Sequence, residues 1–156
     1  MVVPLRRQSW CHEIEAFNAT MTRESWVAGT YSHPWGTGAI TGVSGGLMGI
    51  MQTSPTFATF TVKPRLGSMS HAAIKVPTLR GHIEAGVNAT HTVVSVPCNT
   101  AASICVRHGV GVEAARGLTL LLDGAAVASP TVEPYHLCAE NVGCGAGGKA
   151  RVVTLA

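Results

Sequence analysis

Charge is what this sequence has least of. Asp, Glu, Lys and Arg supply 12% of its 156 residues, about half the roughly 25% usual in globular proteins. The net charge is +3, with no dense Lys/Arg block, so no nucleic-acid partner is expected. Aromatic residues are scarce too, at 5%, and beyond residue 64 Tyr135 stands alone. No long apolar run exists. The most apolar stretch, "AITGVSGGLMGIM", is too short and too rich in glycine to span a bilayer, so no membrane partner is expected. The opening "MVVPLRRQSWCHEIEAF" has no apolar core after its arginines and does not read as a secretory signal. None of the five cysteines, Cys11, Cys98, Cys105, Cys138 and Cys144, has a CxxC partner. The expectation is therefore free buried thiols in a cytoplasmic chain. The sequons at Asn18 and Asn88 carry little weight in that setting. His12, His33, His71, His82, His91, His108 and His136 form no HxxxH pair, and "GCGAGGKA" fits no phosphate or dinucleotide fingerprint. Neither metal nor cofactor is expected.

What remains is apolar and glycine-rich: 46% hydrophobic residues and 18 glycines. That suffices for one domain, or one domain with an appendage. "QSWCHEIEAF" places Trp10, Ile14 and Phe17 on one helical face. In "GTGAITGVSGGLMGIM", Ile40, Val43, Leu47 and Ile50 keep helical spacing, although each glycine costs up to about 1 kcal/mol relative to alanine. Such a helix would need burial.

After "TSPTF" the character changes. "ATFTVKPRL", "HAAIKVP", "HIEAGV", "HTVVSVP", "AASICVRH", "LTLLLDG", "YHLCAEN" and "ARVVTLA" follow one another, separated by Gly, Pro and Asn. Short strands with regular turn signals predict an antiparallel β-sandwich. "LLLDGAAV" predicts a hairpin turning at Asp123-Gly124. The fold class expected is mainly β, with short helices first. The boundary is placed between a helical part, 1–54, and a sandwich, 55–156.

The scarce charges and aromatics gather in "NATMTRESWVAGTYSHPWG", residues 18–36. Several stretches here resemble, in register, the bacterial-type α-L-rhamnosidases: "SWCHEIEAF" at 9–17, "ATMTRESW" at 19–26, "SHPWG" at 32–36 and "GIMQTSPTFATFTVKPRLG" at 49–67. "VPTLRGHI" at 76–83, "VSVPCNTAASICV" at 94–106 and the "LLLDGAAV" hairpin continue the series. The resemblance implies an (α/α) barrel holding the active site, followed by a C-terminal β-sandwich. This chain would then be the last barrel helices plus the sandwich.

The family hydrolyses terminal α-L-rhamnosides with inversion, which needs two carboxyl groups about 6.5–9.5 Å apart. By resemblance Glu24 stands at the general-base position and His33 at that of a sugar-contacting histidine. Trp26 and Trp35 would wall the pocket and offer apolar faces to the sugar. The family's general acid, and the residues that grip the sugar, lie in helices upstream of this segment. Glu13, Glu15, Glu84, Asp123, Glu133 and Glu140 do not replace them, so the chain alone is expected to be inactive. Its partners would be a rhamnose-containing glycoside and either an upstream catalytic barrel or a second copy of the chain. "GTGAITGVSGGLMGIM" is richer in glycine than the family's matching helix, a departure pointing to a diverged or decaying copy, or to a domain read out of its context.

The alternative is a non-catalytic structural or sugar-binding β-sandwich. A stacking platform needs aromatic faces, and Tyr135 alone is a poor candidate for one. Considered without the resemblance, Glu24 reads as a solvated or capping charge, and the tryptophans as core.

Overall fold

The computed structural model describes Glu15, Asn18, Thr30, His33 and residues 38–156. The chain divides into two compact units, Met1–Gly42 and Val43–Ala156. In the first, Glu15 is helical and exposed, and a short helix α1 (Gly38–Thr41) closes the described part. The Trp10, Ile14 and Phe17 face lies outside the described residues. A π-helical turn continues from α1 over Gly42–Leu47. The helical spacing of Ile40, Val43 and Leu47 therefore holds, but Ile50 begins a strand.

The second unit is mainly β. Its strands are β1 (Ile50–Gln52), β2 (Thr59–Val62), β3 (His71–Thr78), β4 (Gly81–Asn88), β5 (His91–Ser95) and β6 (Ala101–Arg107). They continue with β7 (Leu120–Leu122), β8 (Ala125–Ala126), β9 (Thr131–Val132), β10 (His136–Val142) and β11 (Arg151–Leu155). One sheet has the order β1-β2-β6-β10-β9, the other β3-β4-β5-β11-β7-β8. The eight strand-like stretches of the sequence all carry strands, and the two sheets form the expected sandwich.

The alternation in these strands does the sorting. In β5, Thr92 and Val94 are buried while His91, Val93 and Ser95 are half-buried. Along β6, Ala102, Ile104 and Val106 turn inward at period two. Both sheets send residues into one core: Phe60, Val62 and Ile104 from the first, Ile83, Val94 and Val153 from the second. Each such side chain, fully buried, stabilises the fold by about 1.5–3 kcal/mol. Thr92 is a polar residue in this core, and its Oγ1 donates to the carbonyl of Cys105, 2.8 Å away. The bond joins β5 of one sheet to β6 of the other and satisfies both groups, which burial demands.

Three features depart from the sequence reading. First, β2 and β6 run parallel, Phe60 facing Ala102 and Val62 facing Ile104. A parallel pair needs a long connection, and here β3, β4 and β5 of the other sheet supply it. Second, β1 pairs with β2, although its three residues are too few to show a period. Third, four cysteines are not free thiols: Cys98 bonds Cys144 and Cys105 bonds Cys138. Antiparallel pairing of β6 and β10 places Cys105 directly opposite Cys138. Their Cα atoms are 4.0 Å apart. Register between distant segments brings the thiols together, and local spacing gives no sign of it.

One glycine serves the backbone visibly. Asp123 and Gly124 have φ of 51° and 84°, the pair of positive values that a type I′ hairpin requires. Leu122 faces Ala125 across that turn, as the sequence predicts. Asp123 also accepts from the backbone N–H of Val152 (2.8 Å) and from Nε of Arg151 (2.6 Å), which ties the hairpin to β11.

Candidate functional site

Of the four residues that the sequence singles out, Glu24, Trp26 and Trp35 lie outside the described residues. His33 is described and half-buried. Among the described residues, no group of three or more His, Cys, Asp or Glu side chains is placed to hold a metal ion. No described helix is long and apolar enough to cross a membrane.

A polar site that the sequence reading does not single out lies at one end of the five-stranded sheet. The topology builds it. Because β2 and β6 are parallel, both end there, and β10, antiparallel to β6, begins there with His136 opposite Arg107. β9 ends beside it, Val132 facing Leu137. Three segments thus converge: Lys63–Arg65 after β2, Arg107–His108 closing β6, and the turn 133–135 before β10.

Two imidazoles stitch them. Nε2 of His136 donates to the carbonyl of Pro64, and Nε2 of His108 donates to the carbonyl of Glu133, each at 2.9 Å. A carbonyl only accepts, so both rings carry their proton on Nε2. His136 is buried. Burial holds its pKa below the usual histidine value, outweighing the opposing pull of the Pro64 carbonyl and of Glu133, so the ring is neutral at pH 7. Nδ1 of His108 is different: it is the buried side-chain polar atom without a partner among the described residues.

Around the imidazoles stand three cations and one carboxylate. Nζ of Lys63 bridges both oxygens of Glu133 at 2.5 and 2.7 Å, so that pair is neutral as a unit. Among the described residues, the guanidinium groups of Arg65 and Arg107 have no ion-pair or hydrogen-bond partner. Two cavities flank Arg107 and share Gly67 with it. The first, about 290 Å³, has an apolar wall of Leu66, Met69 and Val87, with His108 and Arg107 at its polar side. The second, about 420 Å³, is lined by Lys63, Arg65, Arg107, Glu133, Tyr135 and His136. Tyr135 is 48% exposed. The sequence reading misses this cluster because its members come from positions 63 to 136 and share no motif. Tyr135, the lone aromatic of the region, is the one signal present.

Comparison with known proteins bears on the whole chain. Residues 49–119 match the family described as "Bacterial alpha-L-rhamnosidase C-terminal domain". No functionally curated protein matches the sequence. Among solved structures, the α-L-rhamnosidase from Dictyoglumus thermophilum superposes with a TM-score of 0.64 over 92% of this chain, at 14% identity. The Streptomyces avermitilis α-L-rhamnosidase, solved in complex with L-rhamnose, gives 0.61 over 94% of this chain, at 15% identity. The chain spans 17% and 15% of those two proteins. The chain therefore resembles the C-terminal portion of the bacterial α-L-rhamnosidases, and its sandwich carries the match to their C-terminal domain.

Proposed function

We propose that this chain is the C-terminal portion of an α-L-rhamnosidase, an enzyme that releases terminal α-L-rhamnose with inversion. One observation carries the proposal: the match to the family's C-terminal domain begins at residue 49, after the "ATMTRESW" and "SHPWG" motifs at 19–26 and 32–36. Residues 1–54 would supply one wall of a catalytic pocket, and 55–156 the C-terminal sandwich. In this reading Glu24 is the general base. Its carboxylate takes a proton from a water molecule on the face of the sugar opposite the leaving oxygen. His33 would hydrogen-bond a sugar hydroxyl, and Trp26 and Trp35 would pack on the methyl group and ring C–H bonds. The general acid comes from helices that such enzymes place before this segment. Residues 1–156 then bind rhamnose weakly and do not turn it over.

Tryptophan fluorescence tests the reading, since Trp10, Trp26 and Trp35 all fall in or beside the wall. Titration with L-rhamnose is expected to give a saturable change, weakened by Glu24→Ala and by His33→Ala. An aryl α-L-rhamnoside is expected to remain uncleaved by residues 1–156. No response up to high millimolar rhamnose would sink the wall as a site within this chain. Cleavage of the aryl glycoside would overturn the incomplete-site reading.

A further inference from the structure

We infer that the groove around Arg107 is a second carbohydrate site, sharing no residue with the proposed catalytic wall, and that it takes a sugar bearing a carboxylate, a uronate. The charge comes first. Lys63 is neutralised by Glu133 at 2.5 and 2.7 Å, and His136 is neutral. Among the described residues, Arg65 and Arg107 are left as two unpaired guanidinium groups lining one cavity of about 420 Å³. A guanidinium presents a planar fork of N–H donors that matches a carboxylate, and the pair makes two charge-assisted bonds. Glu133, the carboxylate that lines the same cavity, is engaged by Lys63.

Charge alone would accept any small anion. One further group asks for more. Tyr135 leaves about half its surface open in the same cavity, an apolar face suited to the C–H face of a pyranose ring. Acetate has no ring face. A neutral hexose has one but no carboxylate for the arginines. A uronate meets both demands. At about 420 Å³ the cavity lies within the roughly 300–1,000 Å³ typical of ligand sites.

The test is a two-dimensional NMR titration of the 156-residue chain with D-galacturonate, in about 0.15 M salt so that diffuse attraction is screened. D-Galactose and acetate serve as controls. Galacturonate is expected to shift the amides of 63–67, 107–108 and 133–136 to saturation, with galactose and acetate each at least tenfold weaker. Arg107→Gln is expected to weaken galacturonate at least tenfold and Tyr135→Ala several-fold. Both side chains are exposed, and an unchanged melting temperature confirms that each variant folds. Acetate binding as well as galacturonate would reduce the groove to a charged patch and overturn the proposal. Galactose binding equally well would overturn the carboxylate assignment. No residue of the groove belongs to the rhamnose wall. Glu24→Ala should therefore leave the galacturonate response intact, and the two readings fail independently.

Discussion

Lys63 and Glu133, seventy residues apart in sequence, form a bidentate ion pair, with Nζ 2.5 and 2.7 Å from the two carboxylate oxygens. Glu133 does more than neutralise the lysine. Its carbonyl accepts from Nε2 of His108, and its N–H donates to the carbonyl of His136 at 2.8 Å. One residue thereby ties the tails of β2 and β6 to the start of β10. The pair is only partly exposed, 24% for Lys63 and 34% for Glu133, so solvent screens it incompletely. Glu133→Gln or Lys63→Met is expected to cost about 1–2 kcal/mol, above the surface-pair range and within that of charged hydrogen bonds. The double variant should cost clearly less than the sum of the two. Urea unfolding of all four proteins checks this; strict additivity would mean that the pair contributes nothing.

Acid should loosen the same corner through His136. Burial lowers its pKa in the folded state below the ordinary value of 6.5. The unfolded chain therefore takes up the proton first as pH falls. The contribution of His136 to stability is complete above about pH 6.5, and it is lost as pH falls from there toward the folded-state pKa. The denaturation midpoint is expected to drop between pH 8 and pH 5.5. His136→Gln should flatten that part of the profile, even though the variant is less stable throughout. An equally steep decline in His136→Gln would assign the effect to another group.

Strands were legible in this sequence because burial on one face writes itself as alternation. "HTVVS" and "AASICV" each carry a period of two, and each became a strand. The Asp123-Gly124 turn was legible because few residue pairs tolerate two positive φ angles in succession. What was not legible is long-range register. Cys105 meets Cys138 only because β6 pairs with β10, and the parallel alignment of β2 with β6 is visible in neither strand. The groove has the same origin, since Lys63, Arg107 and Tyr135 are neighbours by topology alone. The wall residues Glu24, Trp26 and Trp35 were named from motif register, and the described residues leave those three untouched. Of the four, only His33 is described, as a half-buried residue.

Gly49 should resist any substitution. Its φ is +62°, and a Cβ built there would fall on the backbone carbonyl of Lys63. The contact is close because Gly49 accepts two hydrogen bonds, from the N–H of Lys63 at 3.2 Å and from Oγ1 of Thr61 at 3.1 Å. Gly117 is the control, with a φ of +77° and nothing within 4 Å of a Cβ. Gly117→Ala reports the backbone cost alone, about 1 kcal/mol. Gly49→Ala adds a clash with main chain that cannot rotate away, and should cost about 3 kcal/mol or more. Equal losses in the two variants would show that the β1–β2 corner yields easily.

Reduction of the disulfides should destabilise the sandwich in two unequal steps. Cys98–Cys144 encloses Cys105–Cys138 in sequence, so the two cross-links are nested. Either one alone closes a long loop, worth about 2–4 kcal/mol in the chain-entropy account. With the inner bond formed, the outer one closes only the short segments 98–105 and 138–144, and adds less. Position adds to the asymmetry. Cys105 and Cys138 are fully buried, whereas Cys98 is exposed. Mild reductant should therefore open Cys98–Cys144 first, with a modest fall in melting temperature. Cys105–Cys138 should open only under partly unfolding conditions, with a larger fall. Differential alkylation before and after reduction, read by mass spectrometry, follows the order directly. Equal labelling of all four cysteines in the untreated, freshly folded protein would show that the thiols are free and would remove both cross-links from the fold.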